Sequence, residues 1–172
     1  MATKISCGWI RKGKDKTIST TASRTRINLM GAINLENMQV DIEKYETINS
    51  ESMIEFFDLL KQSYSNAPRI HIILDRGPYN ISALTHKSAK EKNIVIHLLP
   101  AYSPNLNPIE RLWKVMNEYS RNNKVFSSAK EFRQQIMDFF NITWPGISNS
   151  MRGRINDNFQ EIRRSENSIV LV

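Results

Sequence analysis

Two nearly continuous apolar runs, separated by a stretch of helical pattern, constrain the fold of this chain more than any other feature. They are Ile70–Asp75, which ends in a carboxylate, and Ile94–Leu99. Such runs are typical of strands that are buried on both faces, as in parallel sheets. Residues 81–92 predict a helix between them. The residues expected on its buried face are Ile81, Leu84 and Ala89. The strand–helix–strand order predicts parallel pairing with a right-handed crossover.

The segments on either side of this unit complete an α/β pattern. Residues 27–33 and 38–45 alternate between apolar and polar side chains, which predicts two strands of a hairpin. A helix is predicted from Asn49 or Ser50 to Tyr64. Further helices are expected over residues 108–121 and 129–142. The sequence therefore predicts one α/β domain over residues 1–172, with a mixed sheet flanked by helices.

Composition excludes several classes of protein. The chain has a single cysteine, Cys7, so it has neither an internal disulfide framework nor a cysteine-based zinc cluster. It contains no run of about 18 apolar residues, and its first residues lack the apolar stretch of a signal peptide. We therefore expect no membrane partner, and a protein that stays in the compartment where it is made.

The charge balance favours a polyanionic partner. Lysine and arginine number 24 against 17 acidic residues, which gives a net charge of +7 and a pI near 9.6. Phosphate neutralisation releases condensed counterions, so a basic surface binds nucleic acid readily. The residues that we expect to contact nucleic acid are Arg11, Lys12, Lys14 and Lys16. Charge alone leaves open a small basic protein that binds no nucleic acid.

Two carboxylates stand where a site could form. Asp75 ends a buried strand, and Glu110 opens the helix that follows the next strand, with 34 residues between them. In open α/β sheets, sites gather at the carboxyl ends of the strands. Structural interpretations also exist, because Asp75 could cap the next turn and Glu110 could complete a capping box with Asn107. Pattern alone favours these structural roles.

The segment Leu98–Trp113 changes that balance. It resembles the signature of DDE-superfamily transposases of bacterial insertion sequences related to the mariner group. That signature reads Leu-Pro-x-Tyr-Ser-Pro-x-Leu-Asn-Pro-Ile-Glu-x-x-Trp, and every fixed position of it is present from Leu99 onward. Residues Ile70–Asp75 resemble the strand that carries the middle aspartate of the family, and the separation from Glu110 is typical of the group. A match of this length with a second motif at the right spacing is a specific signal.

The resemblance implies a fold, a chemistry and partners. It implies an RNase-H-like domain that cleaves and joins DNA by two-metal phosphodiester chemistry with Mg²⁺ or Mn²⁺. Asp75 would bridge the metals and Glu110 would hold one of them, as oxygen ligands suited to these ions. The partners implied are DNA and further copies of the chain, without a small-molecule substrate. The implied location is the bacterial cytoplasm, on the nucleoid when the protein is bound to DNA.

The amino-terminal segment departs from the family pattern. The family's first catalytic aspartate lies shortly before a segment similar to Gly8–Gly13, but the seven residues before Gly8 include no acid. Asp15 and Asp41 lie on other elements and do not match. We therefore expect a fragment that lacks the first catalytic strand and the family's helix-turn-helix, with Met1 an internal methionine of a longer frame. Strand 27–33 would then lack a neighbour and recruit a partner.

The middle motif departs as well. Arg76 follows Asp75 where the family usually has asparagine, and Asn80 stands near the position of a family histidine. A cation beside a metal-binding carboxylate is expected to compete with the metal. These departures predict a transposase fragment that is inactive in this form, which leaves open whether the chain is an enzyme. The alternatives are an active nuclease with a substitute carboxylate, and a non-catalytic basic remnant that binds DNA or dimerises.

Overall fold

The structure, a computed structural model, describes residues 11–13 and 26–158. Its first element pair is an antiparallel hairpin of β1 (Asn28–Ile33) and β2 (Val40–Tyr45). Ile33 lies opposite Val40, and the turn between them closes with the Asn34 N–H donating to the Gln39 carbonyl at 2.9 Å. The predicted hairpin is confirmed.

The predicted parallel unit is also present. It consists of β3 (Ile70–Leu74), α2 (Ala83–Glu91) and β4 (Ile94–Leu98), with Ile72 opposite Ile96 in a parallel ladder. In the part of the chain that the structure describes, the four strands form two separate two-stranded ladders, β1–β2 and β3–β4, rather than the single mixed sheet that was expected.

One hydrophobic core lies between α1 (Ser50–Ser63) and the strands. The Asn49 side chain caps α1 by accepting from the Ser52 backbone N–H at 2.9 Å. The buried side chains of this core come from α1, α2 and three strands: Met30, Met53, Phe56, Phe57, Leu60, Ile72, Ala89 and Ile94. Because the parallel ladder contributes to this core together with β1, the two ladders are held in one domain.

A second core forms under the carboxyl-terminal helices. They are α3 (Pro108–Ser120), α4 (Ala129–Asp138) and the short α5 (Trp144–Ile147), with a π-helical turn at Phe139–Thr143. The buried Trp144 indole donates to the Met38 carbonyl at 3.0 Å, which ties this layer to the β1–β2 turn. None of the helices in the described residues is long and apolar enough to cross a bilayer.

The predicted buried face of α2 is wrong in two of its three residues. Ala89 is buried, but Ile81 is 50% exposed and Leu84 is 48% exposed. The helix begins at Ala83 with Ser82 as its cap, so Ile81 precedes it. The buried face is formed instead by Thr85, Ser88 and Ala89, which share one side of a helix by their spacing. Thr85 lies inward because its hydroxyl donates to the Tyr79 carbonyl at 2.6 Å.

The cap of α4 gives a first test of the fold. The Ser128 hydroxyl accepts from the Glu131 backbone N–H at 3.0 Å. Ser128→Ala should lower the free energy of unfolding by about 1 kcal/mol, because a helix donor loses its acceptor. Urea unfolding followed by circular dichroism measures this change. Ser128→Asp is the matched control, because it retains a cap acceptor and should lie within a few tenths of a kcal/mol of the parent. Equal losses in both variants would contradict the capping role.

Candidate metal-binding cleft

Asp75 lies in the turn that directly follows β3, and its side chain is exposed. Its Oδ1 accepts from the Gly77 backbone N–H at 2.9 Å and from the Asn80 side-chain amide at 2.8 Å. The turn-capping interpretation therefore holds for this oxygen. The hydrogen bonds found for the carboxylate among the described residues all fall on Oδ1, so its capping role leaves Oδ2 available to a cation.

Asn80 orients this carboxylate. It is 4% exposed, and its amide also lies 3.3 Å from the Asp75 carbonyl oxygen. Its own Oδ1 is buried without a hydrogen-bond partner in the described part of the chain. The amide orientation follows from these contacts, because the reverse orientation would place two oxygens face to face. Asn80 was identified in the sequence only as a departure from the family pattern.

Arg76 does not oppose the carboxylate in the way that was expected. Its Nε donates to the Leu99 carbonyl at 3.0 Å, at the end of the neighbouring strand, and it forms no ion pair with Asp75. The guanidinium group therefore ties the end of β3 to the start of the loop that leads to α3. The expected direct competition with a metal at Asp75 is not what this geometry shows.

Glu110 lies in the first turn of α3 and is exposed. Asn107 caps the helix by accepting from the Ile109 N–H at 3.3 Å, and Pro108 follows as the first helical residue. The Asn107 N–H donates to the Pro104 carbonyl at 3.0 Å. Because that donor is already used, the capping-box interpretation of Glu110 is wrong, and no hydrogen bond within residues 26–158 engages its carboxylate.

Both carboxylates line one open cleft of about 780 Å³. Its walls come from β1, β3, α1 and the start of α3, and Tyr79 and Asn80 lie beside Asp75 in its lining. Burial, and after it the negative charge of Asp75, raise the pKa of Tyr79. The sequence placed Asp75 and Glu110 at one edge of the fold, and they share this cleft. Their roles as metal ligands stay predictions.

Trp113 fixes α3 against β1. Its half-buried indole contacts Phe140 edge to face, with ring centroids 5.9 Å apart. A Cβ added to Gly31 would lie 2.8 Å from the indole Cη2, so the ring lies directly on the strand backbone. The packing role that the sequence favoured for Trp113 is the observed one, and it positions the turn that carries Glu110.

Asp41 has a structural place. It is 8% exposed, and its Oδ1 accepts from the Ser63 hydroxyl at 2.6 Å, which links β2 to the end of α1. Burial, followed by the charge of Asp41, raises the pKa of Tyr64 to about 12. Asp15 lies outside the described residues. Within those residues no group of three or more histidine, cysteine, aspartate or glutamate side chains could hold a metal ion.

The basic residues divide into two sets. Arg11 and Lys12 are exposed, whereas Lys14 and Lys16 lie outside the described residues. Near the carboxyl end, Arg152 donates to the carbonyls of Leu35 and Glu36, and Arg154 forms an ion pair with Glu118 at 2.8 Å. The carboxyl-terminal arginines therefore hold the fold together, and Arg11 and Lys12 remain the candidates for DNA contact.

The fold is that of the RNase-H-like catalytic domain of transposases. The structure of a Mos1 transposase paired-end complex with the left transposon end matches 88% of this chain and 49% of its own chain. The two share 17% identity, with a TM-score of 0.62. A Mos1 mariner paired-end complex with Mn matches 91% of this chain and 52% of its own, at 15% identity and a TM-score of 0.59. The predicted fold class is confirmed.

The chain belongs to the DDE superfamily endonuclease family, whose pattern matches residues 2–133. It is 28% identical over 144 residues to an insertion element IS630 uncharacterized 39 kDa protein of Shigella sonnei, covering 83% of this chain and 42% of that protein. It is 30% identical over 78 residues to the uncharacterized protein y4pE/y4sA of Sinorhizobium fredii, covering 45% of this chain and 56% of that one. The chain thus spans about half the length of these relatives.

Proposed function

We propose that this chain is the catalytic portion of a bacterial insertion-sequence transposase, in which Asp75 and Glu110 hold Mg²⁺ or Mn²⁺ beside a DNA phosphodiester. The observation that carries the proposal is that both carboxylates line one cleft and have no charged partner there. The proposal includes DNA as substrate, assembly of several copies on it, and a location on the nucleoid in the cytoplasm.

The residues at the cleft fit such an ion. Mg²⁺ and Mn²⁺ prefer carboxylate oxygens, and both candidate ligands are exposed to solvent from which a hydrated ion would arrive. Asn80 and Gly77 hold one oxygen of Asp75 in place, which orients the other. When bound, a pair of such ions activates a hydroxyl and stabilises the leaving oxygen of a phosphodiester.

We propose further that the described cleft does not cut DNA by itself. Two divalent ions carry four positive charges, and Asp75 and Glu110 together offset two of them. The uncompensated charge weakens binding of a second ion. An active nuclease would need a further carboxylate from outside the described residues, because Asp41 is held by Ser63. The third possibility, a remnant that only binds DNA, predicts no metal affinity at the cleft.

Supercoiled plasmid tests the catalytic part of this proposal. With Mg²⁺ or Mn²⁺ present, we expect the plasmid to remain supercoiled. Metal-dependent nicking that disappears in both Asp75→Ala and Glu110→Ala would instead establish the active-nuclease alternative. Nicking that persists in both variants would indicate a contaminant, and the single-variant preparations serve as that control.

Binding to DNA without cutting is a separate prediction. We expect non-specific binding whose affinity falls steeply with salt, because phosphate contacts release counterions. Arg11→Gln and Lys12→Gln should each reduce the slope of log affinity against log salt by about 1 if each side chain neutralises one phosphate. Fluorescence anisotropy with duplexes of unrelated sequence measures this slope. Lys130→Gln, an exposed lysine on α4, is the control. An unchanged slope in both amino-terminal variants would remove them from the DNA contact.

A further inference from the structure

The two ladders leave two strand edges on the same cleft. In the described part of the chain, β1 pairs only with β2 and β3 only with β4. Both β1 and β3 line the cleft of about 780 Å³. An unpaired edge presents a row of N–H and C=O groups, and such rows accept another strand.

The hydrogen bonds show which groups of β1 face the cleft. The Asn34 N–H donates to the Gln39 carbonyl, so this pair is a hydrogen-bonded one. Hydrogen-bonded and non-bonded pairs alternate along an antiparallel ladder. With the observed register, Asn28, Met30 and Ala32 direct their backbone groups towards β2. The residues whose backbone groups point the other way are Leu29, Gly31 and Ile33.

The same reasoning applies to β3. The Ile70 N–H donates to the Asn93 carbonyl, and the Leu74 carbonyl accepts from the Leu99 N–H. Alternate residues of a strand direct their backbone groups to opposite edges. Ile70 and Leu74 therefore face β4, and His71 and Ile73 present their N–H and C=O groups to the cleft.

The directions of the two edges are compatible with one inserted strand. The Asn34 side chain, which follows β1, hydrogen-bonds to Tyr64. Tyr64 ends α1 and its carbonyl accepts from the Ala67 N–H, close to the start of β3. The carboxyl end of β1 thus lies near the amino end of β3, so the strands run in opposite directions. An inserted strand would pair parallel with one and antiparallel with the other.

The size and lining of the cleft define the occupant. A five-residue strand, at about 3.3 Å per residue, 4.8 Å between strands and 10 Å between packed layers, requires roughly 790 Å³. Apolar side chains line the cleft from both layers: Met53, Phe56 and Leu60 from α1, and Ile109 and Trp113 from α3. A strand between two apolar layers is buried on both faces and is apolar throughout.

We propose that this cleft is an acceptor for a five-residue, uninterrupted apolar β-strand supplied by a separate polypeptide. The apolar strand-forming runs of residues 26–158 already lie in β1 to β4, so the inserted strand comes from outside them. Pairing on both edges would join the two ladders into one five-stranded sheet. This proposal is independent of metal binding at Asp75 and Glu110, and its test measures peptide binding alone.

The probe is a fluorescein-labelled peptide, Lys-Lys-Val-Ile-Val-Ile-Val-Lys-Lys, titrated with the protein by anisotropy. The matched control carries N-methyl groups on its three valine amides, which block pairing along one edge without changing the side chains. We expect the control to bind at least tenfold more weakly. Equal binding of both peptides would overturn strand pairing and leave only apolar adsorption, and failure of both to bind would overturn the proposal as well.

Ile73 offers a matched pair of protein variants. Its side chain is 55% exposed and its N–H faces the cleft rather than β4. Ile73→Pro removes that donor, and proline is tolerated at an unpaired strand edge. Ile73→Thr makes the same side chain polar but keeps the N–H. We expect at least tenfold weaker peptide binding for the proline variant relative to the threonine variant. Equal affinities would contradict the role of this edge.

Amide exchange identifies the source of the strand. In the free protein we expect the amides of Leu29, Gly31, Ile33, His71 and Ile73 to exchange rapidly, and to slow when the peptide is added. Slow exchange in the free monomer would mean that another part of the same chain occupies the cleft, which would overturn assignment to a separate polypeptide. This measurement on the parent protein also decides the matter if Ile73→Pro fails to fold.

Discussion

Replacing Asp75 by asparagine, or Glu110 by glutamine, should lower the affinity for Mn²⁺ by at least about tenfold in each variant. Each change removes one negative charge from the cleft while keeping the size of the side chain. A unit charge 4 Å from a divalent ion contributes about 2 kcal/mol even in bulk water, and more beside a protein surface. In Asp75→Asn the new amide oxygen can still accept from Gly77 and Asn80, so the turn should persist. Isothermal titration with Mn²⁺ measures the loss.

The control for this experiment is Glu91→Gln, an exposed carboxylate at the end of α2, away from the cleft. It should leave Mn²⁺ affinity unchanged. The double variant Asp75→Asn with Glu110→Gln should lose at least about a hundredfold if both groups hold one ion, because their contributions then combine. Unchanged affinity in either single variant, with the fold intact by circular dichroism, would remove that residue from the site.

Much of the fold could be predicted because its signals are local. Alternation along residues 27–33 and 38–45 reports a strand with one buried face, and the apolar run at residues 70–74 reports one buried on both. Each pattern arises from the residue's own neighbours and needs no knowledge of the rest of the molecule. The strands, the caps at Asn49 and Asn107, and the start of α3 at Pro108 follow from such signals.

The errors lie where distant contacts decide. The sequence placed Ile81 and Leu84 inside because they are apolar, but the Thr85 hydroxyl reaches the Tyr79 carbonyl and turns a polar residue inward. Likewise, nothing in the sequence around Arg76 shows that its guanidinium reaches Leu99, which is brought near by the parallel ladder. The separation of the strands into two ladders is a property of the whole fold and has no local pattern.

The site was predictable in position but not in detail. Strand ends in an α/β fold converge, so Asp75 and the helix start at Glu110 were expected on one edge, and they share a cleft. The pattern alone favoured capping roles for both. Asp75 does cap its turn, with one oxygen, whereas Glu110 takes no part in capping because Pro104 already binds the Asn107 N–H. Capping and metal binding are therefore compatible at Asp75.

Gly31 is the position where the packing behind this site can be tested most sharply. It lies at the middle of β1, under Trp113, the residue that holds α3 and with it Glu110 against the strand. A Cβ at this position would lie 2.6 Å from the Ile42 Cδ1 and 2.8 Å from the Trp113 Cη2. Both distances are far below van der Waals contact, so at least one neighbour must move.

We therefore expect Gly31→Ala to lower the free energy of unfolding by about 1–3 kcal/mol, the usual effect of adding volume to a well-packed core. Gly146→Ala is the matched control, because a Cβ there meets no atom within 4 Å and the residue lies in α5. That change should stabilise the protein by about 0.5–1 kcal/mol, since alanine restricts the unfolded chain. Urea unfolding measures both. The clash also predicts a rescue: Trp113→Phe shortens the ring, so in its background Gly31→Ala should destabilise less than in the parent. An equal loss in both backgrounds would show that contact with Trp113 does not require glycine at this position, and would leave Ile42 or the strand backbone as the cause.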